Sequence, residues 1–493
     1  MTASAATVSV SDDGPEPRTS SAELLALASR GDFARWEQRL SATGNCVRPV
    51  LLRGRIDAVD RATGEMASLY DTAVEPGGVL RVACGNRREA ICPPCSQVYK
   101  GDARLIIRSG LTGGKGIPSS VAEHPCVFAT LTAPGFGPVH TSRAGRHGRQ
   151  LACRPRRDAH HRRCPHGRDL SCPRHHEQHD PRLGTPLCPD CYDYTGHVLF
   201  NALAPELWRR FVIYLPRHLA RLAGITQDQL RREVRIRFVK VAEYQHRGVI
   251  HYHAVIRLDG VDDGHQVPSP GYTTALLDQA IRAAVAAVCC DTGVATAADP
   301  SPRRVLRFGA QTDVRAIKPG TGLTAGGTEL PARAVANYIA KYATKTASAS
   351  GLPARPVRSA ADIEELACTE HYKQLIATTW ALGKNPAAAR LALNRRTHTL
   401  GYRGHFLTKS RRYSVTFTSL RRARVDYRRS QRHPAGELDP WGRRFDDRIV
   451  LTVSTWRYAG TGHVTSAEHC LALAAAARAR EQEQIAREET WTT

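Results

Sequence analysis

The chain has 493 residues, 42% of them hydrophobic, and carries a formal net charge of +24 with a pI near 9.9. It is too long for one ordinary core, and roughly two to four domains are expected. So basic a protein needs an anionic partner, and nucleic acid is the expected one. A membrane partner is disfavoured because no apolar run reaches about 18 residues. Without a signal-peptide pattern, residues 1–20 are expected to be a disordered leader of a cytoplasmic protein.

Hydrophobic periodicity predicts a mixed chain of helices and strands. Helices are expected at residues 22–28, 90–111, 198–222, 272–290, 331–345, 360–381 and 386–394, with a last one opening at the capping box Thr465 to Glu468. Strands are expected within residues 47–82 and at 126–132, 234–243, 249–256 and 305–317. Periodicity alone therefore indicates an α+β fold.

Ten of the fourteen cysteines lie between Cys46 and Cys191. With no export signal, metal binding is favoured over disulfides, and the one or two sites expected are structural Zn²⁺ sites. Free or redox thiols and other metals remain alternatives, although neither CxxC pair sits at a helix start after an apolar strand, as a redox motif needs. The ligands expected from the two CxxC pairs and their neighbours are Cys46, Cys84, Cys92, Cys95, Cys164, Cys172, Cys188 and Cys191. Cys153, His166 and His175 are further candidates, because spacing does not reveal the grouping.

Two histidines, His251 and His253, lie on one face of the strand at 249–256, because side chains alternate faces with a period of two. Surface histidines are the ordinary explanation of such a pair. Here apolar neighbours place the strand in a core sheet, where imidazoles without partners would be costly. The preceding strand forms a hairpin with it and ends in Glu243, which could complete a site for Mg²⁺ or Mn²⁺.

Two tyrosines, Tyr338 and Tyr342, are one helical turn apart, and Lys341 and Lys345 follow each of them by three residues. Such tyrosines are more often structural than catalytic. A lysine beside each can lower the proton affinity of the phenol or neutralise phosphate charge. The pattern favours a tyrosine nucleophile that attacks a phosphodiester.

Residues 395–432 are dense in arginine, with Tyr402, Phe406, Tyr413, Phe417 and Tyr427 interleaved. This mixture suits phosphate contacts combined with base stacking, whereas a solvated basic face is the alternative. The DNA-binding candidates are Arg395, Arg396, Arg403, Lys409, Arg411 and Arg412.

The strand at 126–132, the Glu243 to His253 hairpin and the two-tyrosine helix together resemble the three motifs of HUH rolling-circle replication initiators. The Cys92-Pro-Pro-Cys95 knuckle and the residues around Cys188 and Cys191 are similar to those of initiators from actinobacterial plasmids and integrative conjugative elements. The central residue of the His-Tyr-His motif is aromatic, whereas the family has an aliphatic one. Its side chain is expected to point away from the metal.

The resemblance implies an HUH endonuclease domain, an antiparallel sheet flanked by helices. It also implies His251 and His253 as metal ligands and Tyr338 and Tyr342 as nucleophiles. The expected division is a leader at 1–20, an N-terminal region at 21–121 with the first cysteine cluster, the nuclease domain at 122–346 with a Cys/His-rich insertion at about 139–195, a linker at 347–358, and a basic helical DNA-binding region at 359–493.

The implied activity is nicking of origin DNA, single-stranded or hairpin, with a 5′-phosphotyrosyl intermediate and a free 3′-hydroxyl for rolling-circle replication. The sequence has no Walker-type loop, so a host helicase is the expected partner. A host polymerase is expected as well. Two alternatives remain, a two-tyrosine HUH transposase and a non-catalytic, zinc-containing DNA-binding regulator.

Overall fold

A computed structural model describes residues 19–145, 149–155, 163–261, 266–294, 304–318, 330–344, 352–353, 355–432, 439–443 and 450–492, with backbone alone for 342–344, 428–432 and 485–492. The expected leader therefore lies almost wholly outside the described residues. Within them the chain mixes helices with largely antiparallel sheets, which confirms the α+β class.

Most predicted helices and strands appear close to their expected positions, but residues 386–394 form 3₁₀ turns instead of an α-helix. The elements Phe33–Ala42, Gln227–Glu233, Leu407–Lys409, Phe417–Arg432 and Val450–Thr461 were not predicted. The helices are α1 (Ser21–Ala28), α2 (Phe33–Ala42), α3 (Pro93–Thr112), α4 (Tyr194–Leu222), α5 (Gln227–Glu233), α6 (Thr274–Ala287), α7 (Ala332–Thr344), α8 (Ala361–Glu364), α9 (Glu370–Lys384), α10 (Phe417–Arg432) and α11 (Ser466–Thr492). The strands are β1 (Val50–Asp60), β2 (Met66–Asp71), β3 (Leu80–Val82), β4 (Cys126–Leu131), β5 (Arg143–Ala144), β6 (Gln150–Leu151), β7 (Arg235–Tyr244), β8 (Ile250–Asp259), β9 (Cys289–Asp291), β10 (Val305–Arg307), β11 (Thr312–Lys318), β12 (Leu330–Pro331), β13 (Leu407–Lys409) and β14 (Val450–Thr461).

One compact unit combines residues 1–99 with residues 421–493. Its sheet has the order β14-β1-β2, and β3 also pairs with β1. The pairing of β1 with β14 is antiparallel and runs from Val50 opposite Thr461 to Asp60 opposite Val450. This division differs from the expected boundaries, which placed the two ends of the chain in separate regions, because long-range strand pairing leaves no local pattern.

The second unit comprises residues 100–420 and contains a sheet of order β12-β11-β4-β8-β7-β13. All its strand pairs are antiparallel except the short β11–β12 pair. The predicted β7–β8 hairpin lies at its centre. Leu352 and Val357, from the segment expected to be a linker, are buried in the core of this unit.

The two faces of this sheet differ in chemistry. One face packs its apolar residues against α4, and the Tyr252 ring lies 5.5 Å from that of Trp208, centre to centre. Because side chains alternate, His251 and His253 project from the opposite face. Tyr252 is buried to 1% exposure and points away from the two histidines, as expected.

A buried ion pair fixes the end of β8. The Arg257 guanidinium is fully buried and donates to both carboxylate oxygens of Asp259, at 2.6 and 2.8 Å. His124 Nδ1 lies 2.8 Å from the same carboxylate. Burial raises the pKa of Asp259, but hydrogen bonds from His124 and Arg257 outweigh it, so the pKa is below its ordinary value. The ionised carboxylate therefore stabilises the fold above the ordinary carboxyl pKa, and this stabilisation is lost as the pH falls through the lowered value.

We predict that Asp259→Asn lowers the free energy of unfolding of this unit by about 3–5 kcal/mol, since it leaves a buried guanidinium without a counter-charge. The control is Asp278→Asn, which breaks a solvent-exposed pair with Arg282 and should cost less than about 1 kcal/mol. Urea unfolding followed by circular dichroism measures both. Equal losses would contradict a special role for the buried pair.

Candidate functional site

Three side chains of the β7–β8 hairpin converge on one point. The pairing places Glu243 directly opposite His251, and His253 follows two residues along the same face. Glu243 Oε2 lies 3.0 Å from His251 Nε2 and 3.1 Å from His253 Nε2. The three ligand atoms are therefore grouped as a metal triad requires.

Neighbouring groups orient both imidazoles. Thr130 Oγ1, on β4, is 3.1 Å from His253 Nδ1, and Gln245 Nε2 is 3.3 Å from His251 Nδ1. Burial lowers the pKa of His253 despite its hydrogen bond to Glu243, which favours the neutral imidazole that binds metals. Burial raises the pKa of Glu243, but hydrogen bonds from the two histidines outweigh it and the pKa is lowered. The carboxylate is thus kept ionised.

The spacing of the triad is compatible with a divalent metal ion. Adjacent ligands of an octahedral ion bound at about 2.1 Å are about 3.0 Å apart. The observed distances of 3.0 and 3.1 Å match this value. The triad could therefore hold a divalent metal ion without large rearrangement.

The tyrosine helix α7 brings Tyr338 to this triad. The Tyr338 ring lies 5.2 Å from the His253 ring and 5.8 Å from the Phe128 ring, centre to centre, with edge-to-face geometry. Its side chain is 41% exposed, so a substrate can reach it. Lys341 is exposed on the same helix. Tyr342 lies in α7 with its side chain outside the described residues, as is the whole of Lys345.

The basic candidates separate into two kinds. Five arginines are exposed: Arg395, Arg396, Arg403, Arg411 and Arg412. Lys409 is half-buried instead, and its ammonium donates to the carbonyls of Arg411 and Ser414, at 3.0 and 2.7 Å. The Lys409 ammonium thus holds the loop after β13, and its expected DNA contact stays a prediction.

Three of the interleaved aromatics, Tyr402, Phe406 and Tyr413, are buried to 8% exposure or less. The expected base stacking is therefore wrong for them, because they pack in the interior. Tyr427 is exposed, and Phe417 is partly so.

The first expected cysteine group is assembled in the structure. Cys46, Cys84, Cys92 and Cys95 lie together, with Cys46 Sγ 3.7 Å from Cys92 Sγ and 3.6 Å from Cys95 Sγ. Sulfurs bound tetrahedrally to zinc at about 2.3 Å are about 3.8 Å apart. The group therefore has the dimensions of a Cys₄ zinc site.

The other expected cysteine ligands fall into two groups. Cys164, Cys188 and Cys191 lie with His166. Cys172 is in a different group, with Cys153, His140 and His176. The sequence reasoning missed His140 and His176 because neither belongs to a CxxC pair, and the candidate His175 is exposed and outside both groups.

Comparison with known proteins relates this arrangement to one family. A family model described as "RepSA: Replication initiator protein, pSAM2" matches residues 32–477. A Streptomyces ambofaciens protein named "Replication initiator protein" is 42% identical over 472 residues, 95% of each chain. The chain belongs to the pSAM2 replication initiator family.

The family match spans the hairpin triad, α7 and all the cysteine groups. No solved structure matches the chain. Among the described helices of this family member, none is both long and apolar enough to cross a membrane.

We predict that His253→Ala weakens Mn²⁺ binding by more than about 100-fold, because it removes a metal ligand. Removing only a residue that hydrogen-bonds to a ligand typically weakens metal binding by about 10- to 100-fold. The control is His246→Ala, an exposed histidine in the hairpin turn that lies outside the triad. Titration of Mn²⁺ monitored by electron paramagnetic resonance gives both affinities. If the two substitutions weaken Mn²⁺ binding equally, the triad is not the manganese site.

Proposed function

We propose that the protein initiates replication of a plasmid or integrative element by nicking one strand of its origin, as an HUH-type endonuclease with Tyr338 as the first nucleophile. The observation that carries the proposal is the position of Tyr338, whose ring contacts that of His253 beside the Glu243, His251 and His253 triad. Membership of the replication initiator family supports the biological role.

The residues divide the chemistry between them. Glu243, His251 and His253 would hold the cation, which when bound polarises the scissile phosphate and stabilises the leaving 3′-oxygen. Tyr338 Oη attacks the phosphorus in line with that oxygen and loses its proton to solvent. The P–O3′ bond breaks, the 3′-oxygen takes up a proton, and the 5′-phosphate stays on the tyrosine.

The ammonium of Lys341 acts on the charge that develops during attack. It lies one turn after Tyr338 on the exposed side of α7, where it can neutralise the phosphate. The phosphotyrosyl bond stores the energy of the broken phosphodiester, so strands can be rejoined without ATP. Tyr342, one turn further, would make a second cleavage while Tyr338 is occupied.

Affinity for the origin is proposed to come from the exposed arginines, because phosphate contacts supply most of the binding free energy and little sequence information. The two other functional classes are less well supported. A non-catalytic regulator has no need of a tyrosine beside a carboxylate–imidazole triad. The family description favours replication over transposition.

We predict that Tyr338→Phe lowers the rate of first-strand cleavage at least about 1000-fold, as expected when a covalent nucleophile is removed. Single-stranded origin DNA is incubated with protein and Mn²⁺, and the adduct that survives boiling detergent is quantified and mapped by peptide mass spectrometry. The control is Tyr458→Phe, an exposed tyrosine of β14. An undiminished adduct in the Tyr338 variant would make this nucleophile assignment wrong, whereas an adduct mapped to Tyr342 in the wild type would reverse the order of the tyrosines.

We also predict that Arg411→Ala and Arg412→Ala together weaken origin binding and reduce the slope of log affinity against log salt by about 1–2, one for each phosphate contact removed. Lys409→Ala is the control, because its ammonium is already engaged by backbone carbonyls and should leave the slope unchanged. Binding isotherms at several salt concentrations measure the slopes. A slope that falls only for the lysine variant would contradict this assignment.

A further inference from the structure

The two mixed groups of cysteine and histidine in residues 138–193 alternate along the chain. His140 and Cys153 belong to one group, Cys164 and His166 to the other. Cys172 and His176 then return to the first group, and Cys188 and Cys191 to the second. The ligand pairs of the two groups therefore alternate along the sequence, so that each group combines two pairs separated by a pair of the other group.

We propose that the described residues between 138 and 193 form a cross-braced module that holds two structural zinc ions, one of them bound by His140, Cys153, Cys172 and His176. With the Cys₄ group, the protein then carries three structural zinc ions, one more than the larger number expected from the sequence.

The geometry of the new site suits zinc. His140 Nδ1 lies 3.1 Å from His176 Nε2, and Cys172 Sγ lies 3.4 Å from His176 Nε2. Cys153 Sγ is 3.9 Å from His140 Nδ1. Tetrahedral ligands of zinc at about 2.0–2.3 Å are separated by about 3.3–3.8 Å, close to this set. Two thiolates with two imidazoles select zinc over hard cations.

A supporting carboxylate completes the arrangement. Asp180 Oδ2 lies 2.7 Å from His176 Nδ1, the ring nitrogen that faces away from the group. The same carboxylate accepts hydrogen bonds from Arg182, at 2.8 and 3.1 Å, and is held in place by them. A carboxylate that accepts from the outer nitrogen of a ligating histidine is a recurrent feature of zinc sites.

The segment has almost no other core. Of its described residues, the buried ones are Val139, Cys153, Cys164, Cys172, His176, Leu183, Gly184, Pro186, Cys188 and Tyr192. Five of these ten are members of the two groups, and Val139 and Tyr192 lie at the two ends, where they pack in the main core of the unit. Between those ends only Leu183 is a large aliphatic residue. Hydrophobic burial is too small to order such a stretch, so metal binding must contribute most of its stability.

The module contacts the catalytic hairpin directly. Its ends are tied by backbone hydrogen bonds from Leu187 to Pro138 and from Asp193 to Phe136, at 2.9 and 2.8 Å. Gly184, with φ of +82°, packs so closely on His246 and Arg247 that a Cβ there would clash with the hairpin turn. Zinc therefore orders the surface on which the β7–β8 turn rests.

The test measures zinc and thiol protection in the full-length chain carrying His253→Ala, so that the triad contributes no zinc. Elemental analysis should give three zinc ions per chain. Adding Cys172→Ser and His176→Ala together should remove one ion, because both belong to one site. Adding Cys172→Ser and Cys188→Ser together should remove two. His175→Ala, which changes the exposed neighbour of His176, should leave all three.

Alkylation provides a second measurement on the chain without module substitutions, in case those variants fail to fold. Cys153 and Cys172 should resist alkylation in the zinc-loaded protein and react after a chelator is added, while the exposed Cys470 reacts throughout. Two zinc ions or fewer in the parent chain, or reactivity of Cys153 and Cys172 that the chelator does not change, would overturn the proposal. Neither measurement uses DNA, so a failure of the nicking proposal would leave the result intact.

Discussion

The register of β7 against β8 is the constraint on which the site depends. Antiparallel pairing sets Glu243 opposite His251, and the period of two brings His253 to the same face. A slip of one residue would turn both imidazoles into the apolar core against α4 and expose Tyr252. Burial of the aliphatic and aromatic residues on the α4 side therefore fixes the register of the two strands. That register brings Glu243, His251 and His253 together on the opposite face.

The α4 side makes that register costly to change. Tyr252 is buried between the Trp208 ring and the Lys240 ammonium, which lies 4.3 Å from the Tyr252 ring centre. Burial lowers the pKa of Lys240 to about 7. A slipped strand would lose these contacts and bury two histidines in their place. An aromatic residue between the histidines thus strengthens the strand without touching the face that carries the candidate triad.

Local patterns predicted the parts of the site that local geometry determines. The hairpin, the positions of Glu243, His251 and His253, and the turn-to-turn relation of Tyr338 and Tyr342 all follow from periods of two and 3.6 residues. The pairing of β1 with β14 does not, because it joins opposite ends of the chain. Composition also does not show which aromatic residues of an arginine-rich segment are exposed. Tyr402 and Tyr413 were therefore assigned to base stacking, although both are buried. The spacing of the cysteines also does not reveal which of them share a site, because the ligands of the two mixed groups alternate along the chain.

The contrast in exposure between the triad and the tyrosine has a mechanistic consequence under the proposed function. His253 is 3% exposed and held by Thr130, whereas Tyr338 is 41% exposed and meets the sheet through ring edges. The sheet therefore sets the positions of the ligands, while the exposed Tyr338 is carried by a separate helix, α7. Under the proposed function, the covalently bound strand then stays on an exposed side chain, while the ligands that a second cleavage needs remain held by the sheet.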